Sequence, residues 1–161
     1  MEPNYNVTES NSSKEIKYIL AFQHIKGVCD SEPDLYANLA NIAAILKDVF
    51  AWWWVGFYLV KGNELVLGPF QGPVACTRIS YGKGVCGSSW QKCRSLVVPD
   101  VHAFPGHIAC SEVSKSEIVV PVIKSETVCA VLDADSEHHG CFDETDKGEL
   151  EKICEFIASL F

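Results

Sequence analysis

The sequence predicts an α+β domain with a mostly antiparallel sheet. Apolar residues recur at helical spacing towards both ends of the chain, and β-branched and aromatic runs lie between them. Two pairs of these runs are joined by turns of two or three residues, which connect antiparallel neighbours. No internal repeat is present, and 161 residues suit one domain. Helices that flank paired hairpins favour the α+β class.

The helices are predicted from apolar periodicity and from their start signals. Ser31 is the expected N-cap of the second helix, with Pro33 in its first turn. Asp143 is the expected N-cap of the last helix. The predicted helical segments are Lys14 to about Lys26, Leu35 to Phe50, about Val85 to Lys92, and the segment that follows Asp143.

The strands are predicted from aromatic and β-branched runs bounded by turn residues. Glycines and prolines from Gly68 to Pro73 predict a loop. Pro99 to Ser116 has no period and is expected to form a long irregular loop, which in compact domains is usually functional or disordered. The predicted strands are Trp52 to Val60, Glu64 to Leu67, a short one around Val74 to Arg78, Leu96 to Val98, Glu117 to Lys124 and Thr127 to Asp135.

Composition and charge exclude several classes of protein. Apolar residues make up 48% of the chain and charged residues 21%, which is typical of a globular protein. A net charge of −8 argues against a nucleic-acid partner, because an acidic surface repels phosphate. The N-terminus lacks a signal peptide, and the longest apolar run is too short for a membrane helix. We expect a cytoplasmic protein with a flexible tail over residues 1–13 and one domain over residues 14–161.

Alternation along the first strand places two aromatic residues on one face. Trp54, Gly56 and Tyr58 share that face, since every second side chain of a strand points the same way. The two aromatic residues lie about 13 Å apart along the strand, and Gly56 leaves the space between them open. This arrangement predicts a slot for a small apolar ligand. Ordinary packing under a helix is the alternative.

Two carboxylates share one face of the last predicted strand. Asp133 and Asp135 alternate there with apolar neighbours, and Glu117 opens the adjacent strand. Close carboxylates repel one another, so one of them is expected to have a raised pKa and to hold a proton near neutrality. A neutral carboxylic acid can donate a proton, and an ionised one can bind an ammonium group. A solvated strand end or a capping pair is the alternative.

Three of the eight cysteines lie where a sulfur is expected to be reachable. Cys86 begins a predicted helix, where the N-terminus favours a thiolate. Cys76 and Cys110 lie at loop or strand ends. No Cys-x-x-Cys motif is present, which argues against a zinc ribbon or a thioredoxin-type site. A metal site formed by Cys86, Cys110, His102 and His107 is the less favoured alternative, because its spacing is irregular.

The other five cysteines carry no chemical signal. Cys129 and Cys154 follow apolar core positions and are expected to be small buried hydrophobes. Cys29, Cys93 and Cys141 lie at element ends, and we interpret them as incidental. An aromatic slot, an acidic cluster and neighbouring thiols together suit thiol redox catalysis in which an oxygen is protonated. The residue pattern alone does not name the substrate.

An ordered set of motifs runs from about residue 30 to the C-terminus. The motifs are Gly56-Phe57-Tyr58, Leu67-Gly68-Pro69-Phe70-Gln71-Gly72, Ala75-Cys76, Gly82-Lys83-Gly84-Val85-Cys86-Gly87, Gly106-His107-Ile108-Ala109-Cys110, Ser116-Glu117-Ile118-Val119-Val120-Pro121 and Val131-Leu132-Asp133-Ala134-Asp135-Ser136. Together they resemble the free methionine-(R)-sulfoxide reductases, which are single GAF-domain enzymes.

The resemblance implies a GAF fold, with about six strands and helices packed around them, and reduction of free L-methionine (R)-sulfoxide. Cys110 matches the nucleophile, which would become a sulfenic acid as methionine leaves. Cys76 matches the resolving position and would close a disulfide with Cys110, while Cys86 matches the third family cysteine. Which of Cys76 and Cys86 resolves, and whether Cys86 attacks first, is left open.

The same resemblance assigns the binding residues and the reductant. Trp54 and Tyr58 match the aromatic residues around the methyl group and sulfur. Glu117, Asp133 and Asp135 match the acids that bind the amino group and assist proton transfer. Thioredoxin, with NADPH and thioredoxin reductase, would reduce the disulfide, and neither a bound cofactor nor a metal is expected.

Two other functions and the oligomeric state are left open by the sequence. Many GAF domains sense small molecules, and a thiol switch without turnover is a further possibility. A sensor usually signals to an output domain, and the sequence shows no second domain. Whether the chain forms a homodimer is not determined.

Overall fold

A six-stranded antiparallel sheet forms the centre of the protein, as the computed structural model shows for residues 12–107 and 111–161. The strand order is β3-β2-β1-β6-β5-β4, and every neighbouring pair is antiparallel. The predicted α+β class is therefore confirmed. The predicted tail over residues 1–13 lies almost entirely outside the described residues, and the single-domain boundary stays a prediction.

The elements follow one another in the predicted order. The helices are α1 (Lys14–Cys29), α2 (Leu35–Phe50), α3 (Gly84–Lys92) and α4 (Glu144–Ala158). The strands are β1 (Trp54–Lys61), β2 (Glu64–Gln71), β3 (Arg78–Ser80), β4 (Leu96–Val98), β5 (Ser116–Lys124) and β6 (Thr127–Ser136). A 3₁₀ turn over Val101–Ala103 interrupts the loop between β4 and β5. No helix in the described part of the chain is long and apolar enough to cross a membrane.

Several of the predicted boundaries are wrong. The third strand spans Arg78–Ser80 rather than Val74 to Arg78. The N-cap of α2 is Asp34 rather than Ser31, because its carboxylate accepts a hydrogen bond from the Ala37 amide at 2.9 Å. Strand β2 continues to Gln71, through residues predicted to form a loop. Strand β3 pairs only with residues Glu64 to Val66 of β2. Pro69 therefore lies beyond the end of β3, where no neighbouring strand needs a hydrogen bond from its backbone, and a proline is tolerated there.

The two faces of the sheet bury separate apolar clusters. Val55, Phe57 and Leu59 point into the larger cluster, which contains the buried faces of α1, α2 and α4. This confirms the predicted core face of β1. Trp54 and Tyr58 point into the second cluster on the opposite face, together with residues of α3. The candidate site lies on that second face.

Candidate active site

A cavity lies on the second face of the sheet, between β1, β5, β6, the start of α3 and two loops. Six of the residues predicted from the sequence line it, and all six are largely buried. They are Trp54, Tyr58, Cys86, Glu117, Asp133 and Asp135. These side chains come from four different elements, and the fold brings them to one cavity.

Strand register brings the aromatic and acidic residues together. Trp54 of β1 pairs with Asp135 of β6, and Gly56 pairs with Asp133. Glu117 of β5 pairs with Asp135 from the other side. Directly paired residues of antiparallel strands point to the same face, so the three carboxyl groups gather beside the Trp54 ring. The sequence predicts which residues of each strand share a face, but it does not predict which strands pair or in what register.

The two aromatic residues stack rather than leaving a slot between them. The Trp54 and Tyr58 ring centroids lie 6.0 Å apart, and Phe70 stacks on Trp54 at 5.3 Å. A Cβ atom at Gly56 would lie 2.7 Å from Cη2 of Trp54 and 2.3 Å from Cβ of Phe70. The predicted open gap at Gly56 is therefore wrong, because these neighbours fill it. The rings instead form one wall of the cavity.

Changing Gly56 to Ala is expected to destabilise the protein. The added methyl group would overlap the backbone and side chain of Phe70, which cannot move without disturbing the β1–β2 pairing. Overpacking of this kind costs about 1–3 kcal/mol, which corresponds to a fall in melting temperature of about 2–10 °C. Thermal unfolding followed by circular dichroism measures the effect. Gly148→Ala is the matched control, since a Cβ there meets nothing within 4 Å and helical alanine stabilises. Equal melting temperatures for the two variants would contradict the prediction.

Burial sets the protonation of the three carboxyl groups. Burial raises the pKa of Glu117 well above its usual range, and the neighbouring Asp133 charge adds to the effect. Burial and the Asp135 charge likewise raise the pKa of Asp133. Burial also raises the pKa of Asp135, to about 6, and the hydrogen bond that Ser114 Oγ donates to its Oδ1 at 2.6 Å opposes this rise. The site thus combines protonated carboxyl groups with one carboxylate that is ionised at neutral pH.

Cys86 is a buried, protonated thiol. It lies in the first turn of α3, and its Sγ is 3.9 Å from Oε1 of Glu117. Burial raises the pKa of the Cys86 thiol well above its usual value, and the charges of Asp133 and Glu117 raise it further. The expected thiolate at this helix N-terminus is therefore wrong. A helix terminus supplies only about half a positive charge, which near-complete burial beside carboxyl groups outweighs.

His107 is a site residue that the sequence assigned only to a metal alternative. Its Nε2 lies 3.8 Å from Oε2 of Glu117. Burial and the neighbouring His102 lower the pKa of His107, so the ring is neutral near pH 7. In the predicted metal site Cys86 was grouped with His102 and His107, but in the structure its possible co-ligands are Glu117 and Asp133. Ser114 was missed altogether, because it lies in a loop without a period.

The polar ends of the two aromatic residues hold the loop that carries Cys76. Trp54 Nε1 donates a hydrogen bond to the Pro73 carbonyl at 3.1 Å, and the Tyr58 hydroxyl donates to the Cys76 carbonyl at 2.9 Å. Burial raises the pKa of Tyr58, which keeps its hydroxyl protonated as a donor. Val74 between these anchors is 92% exposed. The loop therefore depends on the cavity wall rather than on apolar packing of its own.

The predicted reactive cysteines differ in their state. Cys76 is disulfide-bonded, whereas the six other described cysteines are free thiols. The prediction for Cys110 falls on residues 108–110, which lie outside the described residues. Of the three cysteines predicted to be reactive, the structure therefore describes two: Cys76, which is disulfide-bonded, and Cys86, which is a protonated thiol.

Comparison with known proteins identifies the family. Residues 34–160 match the model of the GAF domain. The chain belongs to the GAF domain family. It is 52% identical to GAF domain-containing protein A of Dictyostelium discoideum over 149 residues. The matched region covers 92% of this chain and 94% of that protein.

Relatives with an assigned activity are similar over nearly the whole GAF domain. A free methionine-R-sulfoxide reductase of Saccharomyces cerevisiae is 38% identical over 157 residues, 92% of this chain and 87% of that protein. The X-ray structure of the free methionine-R-sulfoxide reductase of Neisseria meningitidis in complex with its substrate superposes with a TM-score of 0.92. That structure is 52% identical and covers 93% of this chain and 91% of its own. The family resemblance seen in the motifs is confirmed.

The remaining cysteines of this GAF domain lie away from the cavity. Cys154 is buried in the larger core cluster, as predicted. Cys129 is only half-buried at the edge of that cluster, and its thiol donates to the Val122 carbonyl at 3.3 Å. Cys29 lies in the core, Cys141 is half-buried and Cys93 is exposed. None of these five lines the cavity.

Proposed function

We propose that the protein reduces free L-methionine (R)-sulfoxide to methionine. The observation that carries this proposal is the arrangement of three buried carboxyl groups beside the stacked rings of Trp54 and Tyr58, in one cavity. The homologous reductases support the same substrate, and one of them has been solved in complex with its substrate. The protein would then be an oxidoreductase.

The acidic cluster is suited to an ammonium group. Among residues 12–107 and 111–161, the cluster has no ion pair with a lysine or arginine. Oδ1 of Asp133 is buried and has no hydrogen-bond partner among the described groups. A buried acceptor without a donor is costly, so a ligand N–H there is stabilising. A methionine residue within a protein lacks that ammonium group, which would explain selectivity for the free amino acid.

The aromatic wall is suited to the other end of the substrate. The rings of Trp54 and Tyr58 offer an apolar, polarisable surface to a methyl group and a sulfur atom. The sulfinyl oxygen would then face the protonated carboxyl group of Asp133. A group that holds a proton at neutral pH can pass it to that oxygen as sulfur is attacked.

We propose Cys110 as the nucleophile. Its thiolate attacks the sulfoxide sulfur, the oxygen is transferred to the cysteine, and methionine leaves with its electron pair restored. Cys110 becomes a sulfenic acid in this step. Cys86 is less suited to first attack, because burial beside carboxyl groups raises its thiol pKa and keeps it protonated.

We propose Cys76 as the resolving cysteine. Its thiol attacks the sulfenic acid of Cys110, forms a disulfide and releases water. The disulfide-bonded state of Cys76 and the free thiol of Cys86 support this order over resolution by Cys86. Thioredoxin would then reduce the disulfide with electrons from NADPH through thioredoxin reductase. Such a cycle needs no bound cofactor and suits the cytoplasm, where thiols are kept reduced.

Consumption of NADPH tests the proposed activity. The protein is assayed with thioredoxin, thioredoxin reductase and NADPH, and the free (R) and (S) epimers of methionine sulfoxide are added separately. We expect turnover with the (R) epimer and little with the (S) epimer. A matched reaction without thioredoxin shows whether recycling depends on it. No turnover with the (R) epimer, under conditions where chemical reductants also fail, would overturn the proposal.

Changing Tyr58 to Phe is expected to affect resolution more than methionine release. The ring would remain in the cavity wall, but the hydrogen bond to the Cys76 carbonyl would be lost. A lost hydrogen bond of about 0.5–1.5 kcal/mol corresponds to a 2- to 10-fold effect. We therefore expect disulfide formation to slow about 2- to 10-fold more than methionine release. Quenched-flow sampling with thiol alkylation measures both rates, and equal slowing of both would contradict the prediction.

A further inference from the structure

We propose that Cys86, Glu117 and Asp133 form a binding site for a thiophilic divalent cation such as Zn²⁺ or Cd²⁺. The proposed reductase cycle does not use such a cation, so this inference goes beyond it. The three residues come from α3, β5 and β6, and no local spacing pattern marks them as a set. All three residues line the cavity and are buried.

The three ligand atoms already lie at nearly the separation that a metal requires. One donor atom of each residue lies within 4.8 Å of the other two. Cys86 Sγ is 3.9 Å from Oε1 of Glu117. Ligand atoms on tetrahedral zinc, with bonds of about 2.0–2.3 Å, are about 3.3–3.8 Å apart. Closing the site around an ion therefore needs side-chain movements of about 1 Å or less.

The unpartnered oxygen of Asp133 indicates that this cluster awaits a ligand. Oδ1 of Asp133 is buried, lacks a hydrogen-bond partner among the described groups, and belongs to a side chain that lines the cavity. Asp133 is only 6% exposed, so water in bulk does not satisfy it. A cation placed between this oxygen, Glu117 and Cys86 would satisfy it.

The donor set selects the kind of cation. Ca²⁺ and Mg²⁺ prefer six or more oxygen ligands, and this cluster offers two carboxyl groups and a sulfur. A thiolate favours Zn²⁺ or Cd²⁺. Metal binding displaces the thiol and carboxyl protons to solvent, as is usual for such ligands. Three protein donors leave a fourth position on the ion for water. His107 is not one of the three donors, and its Nε2 lies 3.8 Å from Oε2 of Glu117.

Occupancy by a cation would inhibit the proposed reaction, and this consequence rests on the proposed function. The cation and the substrate ammonium group would compete for Glu117 and Asp133. A bound ion would also fix the two carboxyl groups as anions, which removes their protons from the cavity. We expect Zn²⁺ to raise the apparent KM for free methionine sulfoxide.

Cadmium titration of the disulfide form tests the site without measuring activity. Cys76 is bonded in that form and cannot serve as a ligand. Cd²⁺ bound by Cys86 gives a thiolate-to-metal charge-transfer band in the ultraviolet, and a large excess of Zn²⁺ should reduce that band by competition. We expect Cys86→Ser to abolish the band of the tightest site. Cys93→Ser is the matched control and should keep it, because Cys93 is exposed and does not line the cavity.

A second variant tests the carboxylate ligands with the thiol in place. Asp133→Asn should weaken Cd²⁺ binding by about 100-fold while the protein keeps its near-ultraviolet circular dichroism. The proposal is overturned if the band survives in Cys86→Ser, if it is lost in Cys93→Ser, or if Asp133→Asn binds Cd²⁺ as wild type does. These outcomes are read from the metal spectrum, so failure of the reductase assay does not affect them.

Discussion

Replacing Cys110 with serine is expected to abolish methionine release completely. A serine hydroxyl is not ionised at neutral pH and cannot take up the sulfoxide oxygen as a stable sulfenic acid. The protein is first reduced, freed of reductant and mixed with excess L-methionine (R)-sulfoxide. Chromatography then measures the methionine formed in one turnover. Wild type should release about one equivalent per chain, and Cys110→Ser none.

Two further cysteine variants separate attack from resolution. Cys76→Ser should still release one equivalent but should not cycle with thioredoxin, because no disulfide can form with Cys110. Release of one equivalent by Cys110→Ser would contradict its assignment as nucleophile. Normal cycling of Cys76→Ser, together with failure of Cys86→Ser to cycle, would show that Cys86 resolves.

Replacing Glu117 with glutamine is expected to impair binding of the free amino acid. The carboxyl group is buried at the centre of the acidic cluster, so the amide would present N–H donors to the substrate ammonium group. Loss of a hydrogen bond to a charged group costs about 1.5–3 kcal/mol, or about 10- to 150-fold in kcat/KM. Steady-state kinetics with free methionine sulfoxide measures the effect.

A matched acid separates a local effect from a general change of charge. Glu112→Gln makes the same Glu-to-Gln change at an exposed position that does not line the cavity. Its kcat/KM should stay within about two-fold of wild type. If Glu117→Gln lowers kcat with KM unchanged, Glu117 acts in proton transfer rather than in binding.

The hairpins and helices were predictable where local signals agree with the final packing. Ser125 and Glu126 form the two-residue turn between β5 and β6, and both have positive φ values of 49° and 64°. Asp143 forms the predicted cap of α4, with a full capping box to Asp146. Strand β2 was cut short in the prediction because Gly68 and Pro69 usually break strands. Their tolerance depends on where β3 pairs, which a single sequence does not reveal.

The site was predictable in membership but not in its chemistry. The alternation of side chains along each strand predicted that Trp54 and Tyr58 share one face of β1, and that the two aspartates share one face of β6. The pairing of β1 with β6 in the structure brings these two faces to the same side of the sheet. The sequence does not show how deeply Cys86 is buried. Because burial raises the pKa of its thiol, Cys86 is protonated rather than the expected thiolate. Ser114 and His107 contact the acids from an irregular loop, where no period marks a residue.

The central claim is that the buried acidic cluster recognises the free ammonium group of methionine sulfoxide. Turnover of L-methionine (R)-sulfoxide compared with its N-acetyl derivative tests this claim most directly, because the derivative keeps the sulfoxide and loses the charge. We expect kcat/KM to be at least about 100-fold higher for the free amino acid. Equal values for the two substrates would contradict the claim.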